Sequence, residues 1–191
     1  MFDLPCIIFA GGKSSRMGED KSLLPFGQEN SLTHFQYKRL QKIFTHVYIS
    51  CKDPSKFDFD AEFIIDPHHK NTFAPTAGFV ALFNDLKDQR VFILSVDTPF
   101  VSKEEIKALL NEDAEELDAV IARSPQGLHP MCGIYHRSLE DKFQQMFKDD
   151  IHKLGMLLRQ SATKELFFEN DFPFTNLNHP HEYEAALKKL L

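Results

Sequence analysis

Between Phe9 and Gly27 the chain concentrates residues suited to one kind of chemistry, the binding of phosphate groups. Gly11 and Gly12 are adjacent, and Lys13, Arg16 and Lys21 follow within ten residues. Paired glycines let the backbone turn sharply and bring its N–H groups against phosphate oxygens, while the three cations neutralise the charge those oxygens carry. The arrangement suits a triphosphate. Two common phosphate loops do not fit. A Walker A loop requires Lys directly after its second glycine, but Gly18 is followed by Glu19, Asp20 and only then Lys21. The dinucleotide pattern G-x-G-x-x-G is absent as well.

A carboxylate that could hold a metal lies further along. Asp97 closes the apolar run Leu94-Ser95-Val96 and precedes Thr98-Pro99. Mg²⁺ takes one or two carboxylates and completes its shell with phosphate oxygens and water, so a single Asp at a strand end facing a triphosphate is sufficient. An Asp before Thr-Pro is also a common turn residue, and in isolation the two readings stand level. The nine histidines do not form a zinc set. His68 and His69 are adjacent, His179 and His181 are two apart, and no H-E-x-x-H spacing occurs. They read as surface residues, His129 excepted. The acidic run from Asn111 to Glu116 reads as a solvated connection after a helix.

Six short runs rich in apolar, β-branched or aromatic residues read as the strands that position these groups: Cys6–Ala10, His46–Cys51, Glu62–Ile65, Arg90–Val96, Ala119–Ala122 and Met131–Tyr135. Helical spacing separates them. Leu32, Phe35, Leu40, Ile43 and Phe44 fall on one stripe, and Phe79, Leu82, Phe83 and Leu86 on another. Ser102 with Glu105 forms a capping box for a helix to about Leu110. Further helices are expected over 138–147 and 151–159, with a last one after Pro180, where a missing N–H does no harm. Alternating strand and helix predicts an α/β architecture of three layers, a mostly parallel sheet with helices on both faces. The first loop leaves the carboxyl end of its strand, where such sheets bind ligands.

Composition narrows the class. The chain has 191 residues, 42% hydrophobic, with 19 Phe and no Trp, and nothing divides it, so a single domain over 1–191 is expected. The Phe residues fall in apolar segments and read as core. A net charge of −6 opposes a nucleic-acid surface, which needs a broad positive field. The N-terminus has no basic region and its apolar run is too short to span a membrane. Cys6, Cys51 and Cys132 offer neither a disulfide framework nor a C-x-x-C motif, which fits a reducing, cytoplasmic setting.

The segment Ala10 to Leu24 resembles, without a gap, the signature loop A-G-G-x-S-x-R-M-G-x-D-K-x-L-L of sugar-1-phosphate and related nucleotidyltransferases. Its D-K-x-L-L ending particularly resembles molybdenum cofactor guanylyltransferases and their cytidylyltransferase relatives. Other stretches match that family in order. Asp66, after Glu62–Ile65, stands where the family contacts the nucleotide. Ala74 to Gly78 looks like the turn G-P-x-x-G, with Ala74 in place of its first glycine. The Asp97 element matches x-D-x-P. Leu128 to Tyr135 is similar to D-H-P-x-x-A-L, although Leu128 replaces an acidic residue. Thr175 to Pro180 matches N-x-N-x-P. Ser50 occupies a place where the guanylyl enzymes often carry a side-chain amide, and Ser can bond a purine or a pyrimidine edge.

The resemblance implies a Rossmann-like nucleotidyltransferase fold, with a nucleotide-binding half over about 1–100 and an acceptor half over about 101–191. It implies transfer of GMP from GTP to the phosphate of molybdenum cofactor, with Mg²⁺ on Asp97. A cytidylyltransferase on the same cofactor, a sugar- or alcohol-phosphate nucleotidyltransferase, and a non-catalytic GTP sensor are the alternatives. The backbone of Phe9, Ala10, Gly11 and Gly12, together with Asp66 and Gly78, would cradle the nucleotide. Arg16 and Lys21 would hold the leaving phosphates, and Asn176 and Asn178 would face the pterin. Asn before a Pro-initiated helix is equally an ordinary cap. Partners implied are proteins that deliver the cofactor, around a monomer or weak homo-oligomer.

Overall fold

The computed structural model describes residues 1–12, 18–67 and 74–190. Among them, seven strands form one sheet: β1 (Cys6–Phe9), β2 (Val47–Cys51), β3 (Glu62–Ile65), β4 (Arg90–Ser95), β5 (Ala119–Ser124), β6 (Gly127–His136) and β7 (Thr163–Phe167). Their spatial order is β3-β2-β1-β4-β6-β5-β7. Only β6 runs antiparallel to its neighbours, pairing with β4 and β5. The helices are α1 (Leu32–Leu40), α2 (Pro75–Asp85), α3 (Lys103–Asn111), α4 (Glu140–Lys148), α5 (Leu154–Arg159) and α6 (Pro180–Lys188). None of the described helices is long and apolar enough to cross a membrane.

Strand alternation explains the three layers. In β1, Cys6 and Ile8 join the core that also contains Leu40, Phe44, Ile106, Leu109 and Ala186, while Ile7 belongs to the core of Phe79, Phe83, Phe143 and Leu157. α1, α3 and α6 therefore cover one face, and α2, α4 and α5 the other. Strands buried on both faces must be apolar throughout, which is why Ile7, Ile8, Val91, Phe92, Ile93 and Leu94 are all fully buried. The Phe-rich composition serves these cores: Phe79 stacks on Phe143 at 4.0 Å, and Phe44 on Phe92 at 5.4 Å.

The caps follow the expected chemistry. The Ser102 hydroxyl accepts from the backbone N–H of Glu104, and the Glu105 carboxylate accepts from that of Ser102 at 2.8 Å. Pro180 opens α6, and the Glu182 carboxylate accepts from the backbone N–H groups of Asn178 and His179, each at 2.8 Å. Three details differ from the sequence expectations. β7, polar and half-exposed at the sheet edge, was not foreseen. The two later helices begin at Glu140 and Leu154, since a 3₁₀ turn occupies 137–139 and Asp150 adopts a positive φ of 56°. The acidic run after α3 is not wholly solvated: the Asp113 side chain is 1% exposed and lies between Arg90 and His136.

Order reverses at β1, which has β2 on one side and β4 on the other, and that reversal opens a crevice at the carboxyl ends of the parallel strands. β6 brings a second segment to the same rim. Its register against β5 jumps from Ile121↔Gly133 to Ala122↔His129, so Pro130, Met131 and Cys132 leave the β5 ladder. Cys132 continues against Leu94 of β4. Beside this irregularity Gly133 has no room for a side chain, because a Cβ would sit 2.3 Å from the Val120 carbonyl. Gly133→Ala is accordingly expected to destabilise the protein by about 1–3 kcal/mol, the scale of overpacking in a core. A lowered urea midpoint would show it, and an unchanged midpoint would contradict this account of the sheet.

Candidate active site

Three segments distant in sequence meet at the rim between β1 and β4. After β1 the described chain resumes at Gly18, and Lys21–Leu23 forms a 3₁₀ turn. Asp20 caps this turn, one carboxylate oxygen accepting from the backbone N–H of Ser22 at 3.0 Å and from its hydroxyl at 2.7 Å. The cap aims Lys21 across the crevice, where its ammonium makes a short ion pair with Asp97 and donates to Asn178 Oδ1 at 2.9 Å. Asp97, just beyond β4, is 7% exposed and also accepts from Ser95 Oγ at 2.5 Å. Its carbonyl receives the backbone N–H of Leu177 at 2.9 Å, which ties the segment before α6 to the end of β4.

That network removes one reading of Asn178, the helix cap. Glu182 supplies the cap of α6, so the Asn178 side chain is spent on Lys21 and not on the helix. Asn176, two residues earlier, is exposed and lines the same cleft. A metal would find one carboxylate here. Among the described residues no group of three or more His, Cys, Asp or Glu is placed to hold an ion. One carboxylate is what Mg²⁺ asks of a protein when it leaves most of its shell to water and phosphate.

Two clefts adjoin at this rim and share Ser95 and Met131, and Asp97 lines the second of them. The first, about 160 Å³, is lined by Phe9, Gly11, Gly12, Asp66, Ala74 and Pro75 among others. Asp66, 6% exposed at the end of β3, accepts from Ser50 Oγ at 2.7 Å. Burial pushes its carboxyl pKa above the usual value, against the lowering effect of the Ser50 hydrogen bond and of Lys52. Ala10 is buried beneath the loop, its N–H bonded to the Ser50 carbonyl at 2.9 Å. Ala74 has φ −126°, an ordinary extended backbone, so this turn does not need the glycine it lacks. Gly78 is buried and does not line the cleft. It lets α2 close on β1 and β2, since a Cβ there would stand 2.5 Å from the Phe9 ring and 2.7 Å from Ser50 Oγ.

The second cleft, about 240 Å³, is lined by Asp97, Thr98, Leu128, His129, Phe174, Asn176 and Asn178 among others. Of the residues expected from sequence, Lys21, Asp97 and Asn178 are in contact, and Phe9, Gly11, Gly12, Asp66 and Asn176 line the adjoining clefts. Arg16, like His68 and His69, lies outside the described residues. Sequence reasoning did not find Lys56, from the turn after β2. Its ammonium reaches Asp20 at 2.7 Å, Ser22 Oγ at 3.0 Å and the Ala10 carbonyl at 3.3 Å, joining both ends of the glycine loop. Neither periodicity nor local spacing marks that lysine, because every partner is more than thirty residues away.

The chain is similar to known proteins along most of its length. The model of the MobA-like NTP transferase domain matches residues 6–165. A molybdenum cofactor guanylyltransferase of Campylobacter jejuni subsp. doylei is 38% identical over 98% of this chain and 97% of its own length. One from Helicobacter pylori is 31% identical over 98% and 94%. The crystal structure of molybdopterin-guanine dinucleotide biosynthesis protein A from Archaeoglobus fulgidus superimposes with a TM-score of 0.81, covering 97% of this chain and 98% of its own at 20% identity, a likeness of fold.

The Lys56 strut carries a consequence for binding. Lys56→Met leaves the core intact but frees the cap that aims Lys21, and its expected effect is a roughly 3- to 10-fold weaker affinity for a nucleoside triphosphate, the scale of about 1 kcal/mol for a partly exposed ion pair. Titration with a fluorescent nucleotide analogue reads this directly. Unchanged affinity would mean that the loop holds its shape without the strut.

Proposed function

The chain belongs to the MobA-like NTP transferase family, and from that premise we propose that it transfers GMP from GTP to the phosphate of molybdenum cofactor, releasing pyrophosphate and forming molybdopterin guanine dinucleotide. The observation that supports this reading is the convergence of Lys21, Asp97 and Asn178 at a cleft lined by Asp97, Asn176 and Asn178, which shares Ser95 and Met131 with a second cleft lined by Gly11, Gly12 and Asp66. A reaction that joins a nucleotide to an acceptor needs two adjoining binding spaces and charged groups at hand.

The chemistry asks for no protein nucleophile. A phosphate oxygen of the acceptor attacks the α-phosphorus, a bond forms there, and the bond to the β-phosphate bridge oxygen breaks. Such transfers are accelerated by positioning and by neutralising charge. Asp97 would hold Mg²⁺, which when bound would supply charge neutralisation at the triphosphate. In the chain alone Lys21 is the counter-ion of Asp97; as nucleotide enters, its ammonium turns to the leaving phosphates. Arg16, from the same loop, joins it there. Asn178 is left to steady the acceptor phosphate, with Asn176 beside it. Leu177, bonded to the Asp97 carbonyl, keeps the two asparagines in register with the reacting centre. A cytoplasmic setting is part of the same proposal, in keeping with three buried free thiols.

Asp66 accounts for the choice of base. Guanine presents two adjacent N–H donors on its pairing edge, which a carboxylate can accept together, whereas cytosine offers one amino group with two acceptors beside it on the same edge. Ser50 donates to the same carboxylate and opposes the upward push of burial on its pKa.

Pyrophosphate release measured with each of the four nucleoside triphosphates, with and without molybdenum cofactor, tests the reading. Release is expected with GTP, only when the cofactor is present, and it should vanish on chelation of Mg²⁺. Equal release with CTP would overturn the guanine assignment. Lys21→Ala and Asp97→Ala should each lower turnover by roughly 10²-fold, the scale of losing one transition-state contact. Near-normal rates in both folded variants would remove the site from the mechanism. Asp66→Asn should raise the KM for GTP while leaving the acceptor's KM in place.

A further inference from the structure

The second cleft contains a histidine that the transfer step does not use. His129 is half-buried, and its ring stacks on Phe174 with centroids 4.7 Å apart at 17°, which sets the ring plane. Nε2 lies 2.8 Å from Ser124 Oγ, and the same hydroxyl donates to Asp171 Oδ1. Ser124 is 2% exposed, and Asp171 is itself oriented by accepting the backbone N–H of Gln126 at 3.0 Å.

These contacts settle the tautomer. A serine hydroxyl has one proton, and an aspartate carboxylate only accepts, so the Ser124 proton is committed to Asp171. The Ser124 oxygen can then only receive, and Nε2 of a neutral ring must be the donor. The lone pair is left on Nδ1. No protein group bonds Nδ1 among the described residues, and none of their buried side-chain N or O atoms lacks a partner, so Nδ1 is open to the space that His129 lines. Burial also pushes the pKa of this imidazole below its ordinary value, which keeps the ring neutral at neutral pH.

Resting on the reading of this cleft as the acceptor's, we infer that His129 is a specificity-determining contact whose Nδ1 accepts a hydrogen bond from an N–H of the acceptor's heterocycle. A lone pair repels phosphate oxygens, so this residue addresses the ring end of the acceptor. The phosphate end belongs beside Asn178 and Asp97, which line the same cleft. Ser124 and Asp171 are positioning residues that act through the ring. The cleft therefore discriminates by polarity as well as shape, because an acceptor with a carbonyl at that position meets a lone pair instead of a donor.

The test uses the full chain with GTP and molybdenum cofactor. In His129→Gln the amide retains an N–H toward Ser124 but has no acceptor where Nδ1 stood. The acceptor's KM should rise about 3- to 10-fold, the scale of one neutral hydrogen bond, with kcat and the KM for GTP unchanged. Ser124→Ala removes the oxygen that keeps the proton on Nε2, and should give a smaller rise in the same constant. Nitrogen-15 NMR of the ring, assigned by loss of its signals in His129→Gln, should show the Nε2–H tautomer in the wild type and a mixture in Ser124→Ala. An unchanged acceptor KM in both variants, with the wild type turning over, would overturn the role of His129 and leave the proposed function standing. An Nδ1–H ring in the wild type would overturn it without any turnover measurement. Absence of product from the wild type would reject the acceptor assignment itself, and this inference with it.

Discussion

The site depends on one interaction, the ion pair between Lys21 and Asp97. Two opposite charges with little exposure are costly to desolvate and tolerable only when paired and further hydrogen-bonded, which Asn178 and Ser95 accomplish. Without ligand the centre is thus already neutral. Under the proposed function a magnesium nucleotide would bring a cation for the carboxylate and anions for the ammonium, so both partners of the pair would be exchanged at once. The pair would in this sense hold the place of the substrate.

The rest of the fold brings those two side chains together. β1 and β4 are adjacent and parallel, so the loops that leave them emerge on the same rim. Gln36 and Arg39 of α1 face inward and donate to the carbonyls of Val96 and Val101, fixing the turn that contains Asp97 from beneath. Arg39 has no carboxylate partner among its hydrogen bonds, and burial lowers its pKa to about 10, a cost that the helix bears to hold that turn. On the opposite side, the bond from Leu177 to the Asp97 carbonyl attaches the C-terminal segment, and Lys56 attaches the turn that presents Lys21. Asp97 and Lys21 are each held by groups from outside their own segments, as a preorganised site requires.

Much of this was legible in the sequence because it follows from local chemistry. The buried strands announce themselves as unbroken apolar runs, the Ser102 box and Pro180 mark helix starts, and the loop from Ala10 to Leu24 has a specific pattern of glycines and cations. Asp66 and Asp97 were legible as strand-end carboxylates. What escaped the sequence depends on partners far along the chain. Nothing near Lys56 announces that it will bridge Ala10 and Asp20. The jog of β6 at Pro130 to Cys132, which places Met131 and His129 at the clefts, has no periodic signature, because it is set by pairing with β5 and with β4, a strand distant in sequence. β7 is polar and lies at the edge, so its residues lack the apolar run that betrays a central strand. Asp113 was misjudged for the same reason: its burial depends on Arg90 and His136, each more than twenty residues away.

The exchange of partners at the ion pair is most directly tested by a crystal structure of the protein with Mg²⁺ and a non-hydrolysable GTP analogue. The account predicts Asp97 on the metal, the Lys21 ammonium turned to the phosphates, and guanine against Asp66. A structure with the nucleotide bound elsewhere and Lys21 still paired to Asp97 would contradict it.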